Sequence, residues 1–527
     1  MICKALCTLL NCLLVFAIVT LLISTSVLIW LNTQRLPLCP ADHTDFDRPV
    51  IHNERSVVFA DLTQEEILQV RDYLSKIPGM KISSDPFSSP VADFLYMIEL
   101  SMPKKQEVLQ YLDANGPKPA REATAVVFHV NQDNIKEYVV GPLPNPTYHR
   151  DVTVERYKRE IPLSARPGFF WERVFLTVLM ETELTKVSTL MNESFGLTPS
   201  SYSIYYENMP RGVKSGDRQS WFSLCRKVEG FFIHPVGFEV FIDHASKNVS
   251  SWRLMKVLYN GQYFDSLAEL KQQYEAGTIE KIVYKPVPNY ASLKPRKKPT
   301  GVGPQQFYVE GKRFSVKDNN IVYLDWSFAF GLNTLRGMRV FDVRYKGERI
   351  IYELSVQEAM SVYGSATPNL MLTKFLDGSV GIGACAYELV RGVDCPSTAT
   401  YIDTVHFKDS DVPRTLKNSI CVFEHNFGQP LRRHFSEIVY NSYGGLANNA
   451  LVFRTITAIG NYDYVWDFIF YQSGSVEAKV YATGYIASSF KVKDNFKFGH
   501  QVAEMVTGNI HTHFLNFKVD LDILGKS

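Results

Sequence analysis

From Leu9 to Leu31 the chain carries no charged residue, and its polar residues there are Asn11, Thr20, Ser24, Thr25 and Ser26. About 20 apolar residues in a helix span the hydrocarbon layer of a bilayer, so this run predicts an uncleaved transmembrane helix within residues 1–35. It is longer than the apolar stretch of a signal peptide, and no small-x-small cleavage site closes it before Arg35. After a polar spacer the pattern changes. Thr63 and Glu66 form a capping box ahead of Ile67, Val70, Leu74 and Ile77, an amphipathic stripe that Pro78-Gly79 stops. Ala125-Val126-Val127-Phe128-His129-Val130 has strand composition, and the proline-rich Gly141 to Pro146 reads as an exit turn. Residues 54–160 are therefore expected to form a small α+β domain.

A second α+β domain is expected over residues 166–285. It holds strand-like Gly230-Phe231-Phe232-Ile233 and Phe238-Glu239-Val240-Phe241-Ile242, and a helix whose Ser266 and Glu269 precede Leu267, Leu270 and Tyr274 in capping-box spacing. Residues 286–305 are rich in proline and basic side chains and poor in apolar ones, as a solvated linker would be. Beyond them the pattern alternates with period two between turn residues: Arg339 to Tyr345, Arg349 to Leu354, Ser475 to Tyr481. Such alternation predicts a large antiparallel β-sandwich over 306–527, making the fold class α+β.

Charge and cysteine usage narrow the partners. Lys+Arg of 56 against Asp+Glu of 54 leaves a net charge of +2, so no global field attracts nucleic acid. The basic run near Lys297 lacks aromatic interleaving and reads as linker. No CxxC pair occurs, which argues against a structural zinc site. The sequons at Asn192 and Asn248 fit glycosylation of an extracellular or lumenal body, although such short patterns also arise by chance.

Two segments carry candidate chemistry. In a strand, residues i and i+2 share a face, so the rings of His511 and His513 can reach one metal ion. Alone, such a pair is more often incidental than a metal site, which usually needs a third protein ligand. About fifty residues earlier stands Asn461-Tyr462-Asp463-Tyr464. With it come Gly141-Pro142-Leu143-Pro144, Arg150 to Arg156, Gly216-Asp217-Arg218, Phe341-Asp342-Val343-Arg344, Gly392-Val393-Asp394-Cys395-Pro396 and Leu431-Arg432-Arg433-His434. On these motifs the chain resembles the copper amine oxidases, and among them the membrane-bound vertebrate members and their retinal relative.

The resemblance implies copper- and topaquinone-dependent deamination of small primary amines by O₂, giving aldehyde, ammonia and hydrogen peroxide. Tyr462 would be the topaquinone precursor beside Asn461, Asp377 the proton acceptor, and Tyr363 the quinone's hydrogen-bond partner. His511 and His513 would bind copper. Asp520-Leu521-Asp522 matches a calcium site and Cys395–Cys421 a disulfide, while Cys385 has no counterpart. From the residues alone, Asp377-Gly378 reads as a β-turn and Asp520 to Asp522 as a solvated edge strand. The resemblance also implies a homodimer and, with the apolar run, a single-pass membrane protein. Two positions depart from the family: Ala458 stands where Ser or Thr is usual, and no third copper histidine follows His513. The sandwich is therefore expected to be incomplete, with His434 and His500 offering no obvious substitute. An inactive, membrane-anchored interaction protein is the alternative expectation.

Overall fold

A computed structural model of the chain describes residues 17–21, 23–25, 51–82, 93–205, 217–286, 303–438, 441–492, 495–523 and 525. Most of the expected anchor and of the linker lies outside these residues. The described part of the anchor, 17–21 and 23–25, is helical, and no helix among the described residues is long and apolar enough to cross a membrane. The chain divides into two compact units, residues 52–426 with 449–527 and residues 1–51 with 427–448. In the second, residues 427–436 and 442–448 are strand.

Helix α1 (Gln64–Leu74) starts as expected: the Thr63 hydroxyl accepts from Glu66 N at 3.2 Å, and the Glu66 carboxylate accepts from Thr63 N at 2.9 Å. Its stripe Ile67, Val70 and Leu74 is buried on β1 (Asp93–Ser101). The helix stops one turn before Ile77, since Ser75 and the two residues after it form a turn ahead of Pro78. The helix α2 (Lys105–Asp113) joins β1 to β2 (Glu122–His129), followed by β3 (Asn134–Gly141), β4 (Tyr148–Asp151) and β5 (Ile161–Pro162) beside β3.

The second small domain is a five-stranded antiparallel sheet: β6 (Tyr202–Tyr205), β7 (Gln219–Arg226), β8 (Pro235–Asp243), β9 (Arg253–Tyr259) and β10 (Gln262–Phe264). One face is sealed by α3 (Phe170–Leu184), α4 (Ser188–Phe195) and α5 (Leu267–Ala276) around Phe222, Phe238, Val240 and Tyr259. Ser266 caps α5, accepting from Glu269 N at 3.1 Å. The Glu269 side chain, however, accepts from Asp265 N at 2.8 Å, one residue earlier than in a standard box. The expected strand at Gly230 to Ile233 is instead a turn of 3-10 helix entered through Gly230 at φ +69°. Its apolar residues are consecutive, so they never carried the period-two signal of a strand.

The sandwich follows. One sheet holds β11 (Phe314–Lys317), β12 (Asn320–Tyr323), β13 (Trp326–Asn333), β14 (Gly337–Tyr345), β15 (Glu348–Tyr363) and β16 (Thr373–Phe375). The other holds β17 (Thr400–Lys408), β18 (Arg414–Ser436), β19 (Ser442–Ile459), β20 (Tyr462–Tyr471) and β21 (Val476–Gly484). This second sheet does not end at its own domain: β17 pairs with β1, Ile98 opposite Phe407, so the first small domain continues it. Between the sheets lies the main core, with Phe328 stacked on Phe470 at 4.1 Å. A three-stranded sheet of β22 (Ser488–Phe490), β23 (Gly499–Ala503) and β24 (Val506–Asn509) leads into β25 (His511–Leu521), which pairs along β15.

Candidate functional site

The site forms where β25 of one sheet faces β20 of the other. Ile459 pairs with Tyr462, so only Gly460 and Asn461 turn the chain from β19 to β20. Gly460 takes φ +65°, which a side chain would resist and a tight hairpin requires. Asn461 is buried, and its side-chain amide donates to Tyr485 O at 2.6 Å while Tyr485 N donates back to Asn461 O at 3.0 Å. Tyr462 is thereby fixed as the first residue of β20.

Across from it, His511 Nδ1 lies 2.8 Å from Asn509 O. A carbonyl only accepts, so Nδ1 carries the proton and Nε2 is left with its lone pair. That lone pair accepts from the Tyr462 hydroxyl at 3.0 Å, and the same hydroxyl accepts from Ala487 N at 3.2 Å. His513 meets Tyr464 through Nδ1 at 2.8 Å. The two imidazoles are 4.9 Å apart by centroid. Tyr363, buried, stacks on His511 at 4.6 Å with 11° between planes, and the Lys374 ammonium sits 4.4 Å over the Tyr363 ring. Burial first, then His511 and Lys374, hold the His513 imidazole down to about 4, so it stays neutral and able to donate a lone pair.

Register explains the grouping. Ser361 on β15 faces Lys374 on one side and His513 on the other, and Tyr363 faces His511, so these residues line one face of the sheet. Asp377 follows on the turn Leu376–Val380 after β16. Burial raises its carboxyl above the usual range, with Glu358 adding to it, although the backbone N–H groups of Gly378 and Asp377 pull the other way. Among the described residues no hydrogen bond joins Asp377 to Tyr462 or to either histidine. Sequence reasoning missed Tyr464 and Lys374. Tyr464 was within reach of the period-two argument, being two residues from Tyr462 on one strand. Lys374 carried no local signal.

The enzyme-domain model of the copper amine oxidases matches residues 315–527, and the family's N2 and N3 domain models match 62–149 and 166–277. The chain is 41% identical over 500 residues to the liver isozyme of primary amine oxidase from Bos taurus, and 41% identical over 503 residues to human copper-containing amine oxidase 3. It belongs to the copper amine oxidase family. Each of these alignments covers 93% of this chain and 65% of the relative, so the chain spans about two thirds of the length of the curated relatives it matches. Among solved structures, that of Pichia pastoris lysyl oxidase superposes with a TM-score of 0.81 at 27% identity, over 90% of this chain and 67% of that one.

The family implies copper, and the residues present fit it in kind. Two imidazoles on same-face positions, one with its Nδ1 hydrogen-bonded to a carbonyl, are donors of the type copper takes. They do not complete a site: among the described residues no group of three or more His, Cys, Asp and Glu side chains is arranged to hold a metal ion. His500 and His434 are both exposed. Calcium fits less well. The Lys105 ammonium, delivered by the first turn of α2, lies 2.7 Å from Asp520 and 3.0 Å from Asp522, and Arg349 lies 3.7 Å from the other Asp522 oxygen. The expected calcium pair is thus neutralised by the protein's own cations, and Leu521 points out, 55% exposed. Cys395 and Cys421 form the expected disulfide, while Cys225 and Cys385 are buried thiols. Asn192 and Asn248 are exposed.

Proposed function

We propose that this chain carries out copper- and quinone-dependent oxidative deamination of primary amines, with Tyr462 as the residue that becomes topaquinone. The observation that carries the reading is the Tyr462 hydroxyl lying 3.0 Å from His511 Nε2, with His513 beside it. His511 and His513 would hold copper, which when bound would supply the oxidation of Tyr462 to a quinone by O₂, and that quinone would supply the two-electron sink through which amine, water and O₂ become aldehyde, ammonia and hydrogen peroxide.

The side chains divide the remaining work. Asp377 takes the proton from the substrate's α-carbon, and its burial-raised pKa makes it a stronger base than an exposed aspartate. Tyr363 holds the His511 ring flat against its own and limits how it can rotate. The Ala487 N–H and His511 Nε2 fix the Tyr462 oxygen from two directions. Asn461, through its bonds to Tyr485, sets where the strand begins. The sequons and the Cys395–Cys421 disulfide support an extracellular or lumenal body.

A second reading, an amine-oxidase-like protein that keeps Tyr462 unmodified, rests on the absence, among the described residues, of a third His, Cys, Asp or Glu side chain placed to hold a metal ion with His511 and His513. Peptide mass measurement over Tyr462 after incubation with copper and O₂ separates the two. A gain of two oxygens and loss of two hydrogens is expected in the wild type and not in Tyr462→Phe; an unchanged wild-type tyrosine overturns the enzymatic reading.

A further inference from the structure

The strands β15 and β16 form a hairpin that carries Tyr363 at the end of one arm and leads to Asp377 beyond the other. Residues 364–372 are its loop. The start of the loop is tied beside the histidines, because Gly364 N donates to Ile510 O at 3.0 Å and Gly364 O accepts from Asn509 Nδ2 at 2.9 Å. The loop closes where Tyr363 N donates to Leu372 O at 2.9 Å. Its middle is held from another domain. Asn369 N donates to Glu239 Oε2 at 2.9 Å, the Thr367 hydroxyl bonds the same carboxylate, and Asn369 Nδ2 donates to Ser223 Oγ at 2.8 Å. Glu239 and Ser223 are paired neighbours on β8 and β7, on the sheet face that the helices leave uncovered. Leu370 packs there with Cys225, Phe232 and Tyr363.

Glu239 is only 5% exposed. Its titratable neighbours are the Cys225 thiol and the Tyr263 phenol, neither of them a cation. Burial pushes its carboxyl up to about 7, even though the Asn369 N–H and the Thr367 hydroxyl favour the ionised form. A buried acid of this kind weakens a fold unless its hydrogen bonds accomplish something, and the bonds Glu239 receives come from this loop.

We propose that Glu239 is a positioning residue for the amine-oxidising centre: from the second small domain it clamps the loop 364–372 and so fixes Tyr363 and Asp377 relative to one another. The proposal rests on the function assigned above, and its test separates the two. In the copper-loaded protein, Glu239→Ala and the better-packing Glu239→Leu are expected to lower kcat about tenfold with KM little changed. In both, amide hydrogen exchange of residues 364–376 is expected to rise about tenfold, while β7 and β8 stay protected. Glu239→Gln, whose Oε1 accepts from Asn369 N and whose Nε2 donates to Thr367, is expected to restore both. Unchanged loop exchange in a folded Glu239→Leu overturns the clamp, as does failure of Glu239→Gln to restore it. The exchange measurement decides this whether or not the wild type oxidises amines.

Discussion

The strand β25 presents the same pattern twice. At its start stand His511 and His513, and at its other end Asp520 within the strand and Asp522 one residue beyond it; each pair is two residues apart and of a type that holds metal. The structure treats the two ends differently. Opposite the histidines stand two phenol hydroxyls, each hydrogen-bonded to an imidazole nitrogen, and among the described residues no ammonium or guanidinium takes the place of a cation between the rings. Opposite the carboxylates stands an ammonium from residue 105, already in the place of a cation. Spacing along a strand decides which donors share a face. The charge brought opposite them by a distant segment decides whether a metal is needed.

The largest expected effect lies at the imidazole end. His511→Ala removes the donor whose lone pair faces Tyr462, and copper affinity is expected to fall by about 100-fold, together with loss of the mass change at Tyr462. Asp520→Asn is expected to change neither. Copper content after equilibrium dialysis checks this, and equal losses in both variants would erase the distinction between the ends.

At the carboxylate end, Lys105→Met leaves Asp520 and Asp522 without their nearest cation, with Arg349 as remaining support. A loss of about 2 kcal/mol is expected, below the full figure for a broken buried pair because Lys105 and Asp520 are each about a quarter exposed. The variant is then expected to gain thermal stability from millimolar calcium while the wild type does not. A melting curve indifferent to calcium in Lys105→Met would mean that the two carboxylates cannot hold a cation at all.

The same end also has a pH signature. Burial works against the Lys105 ammonium, but its hydrogen bonds to Asp520 and Asp522 more than offset this and raise its pKa. A raised folded-state pKa means the contribution is complete below the unfolded value of about 10.5 and is lost as pH rises through the folded one. The thermal midpoint of the wild type is therefore expected to drop more steeply above about pH 10.5 than that of Lys105→Met. Parallel curves would show that the ammonium contributes nothing there.

How much of this was legible in the sequence follows from the distance between partners. The capping residues Thr63 and Ser266 act within four positions of themselves, and both caps were readable. That Tyr462, His511 and His513 should come together was expected from the family's motifs, and that the two histidines share a face from period-two spacing. Lys105 could not be assigned, because its partners lie more than four hundred residues away in the chain and nothing near it marks a salt bridge. The helix carrying it was itself missed: Lys104 makes no side-chain cap, so α2 lacks the signal that announced α1 and α5. The turn at Gly230 shows the converse, a short apolar run that forms a 3-10 turn and buries Phe232 beside Tyr363 and Leu370, partners remote in sequence.

The smallest effect is expected between the two histidines. Thr512 pairs with Val362 and is exposed on the face opposite the imidazoles. If alternation along β25 is what gathers the site, Thr512→Val should leave copper content unchanged and shift stability by no more than about 0.5 kcal/mol, since valine suits a strand as well as threonine does. The substitution removes a hydroxyl one residue from each ligand, so it asks whether proximity in sequence or the side of the strand governs the centre. Copper loss comparable to that of His511→Ala would mean that the strand does not hold its face, and the contrast between the two ends of β25 would then lose its structural basis.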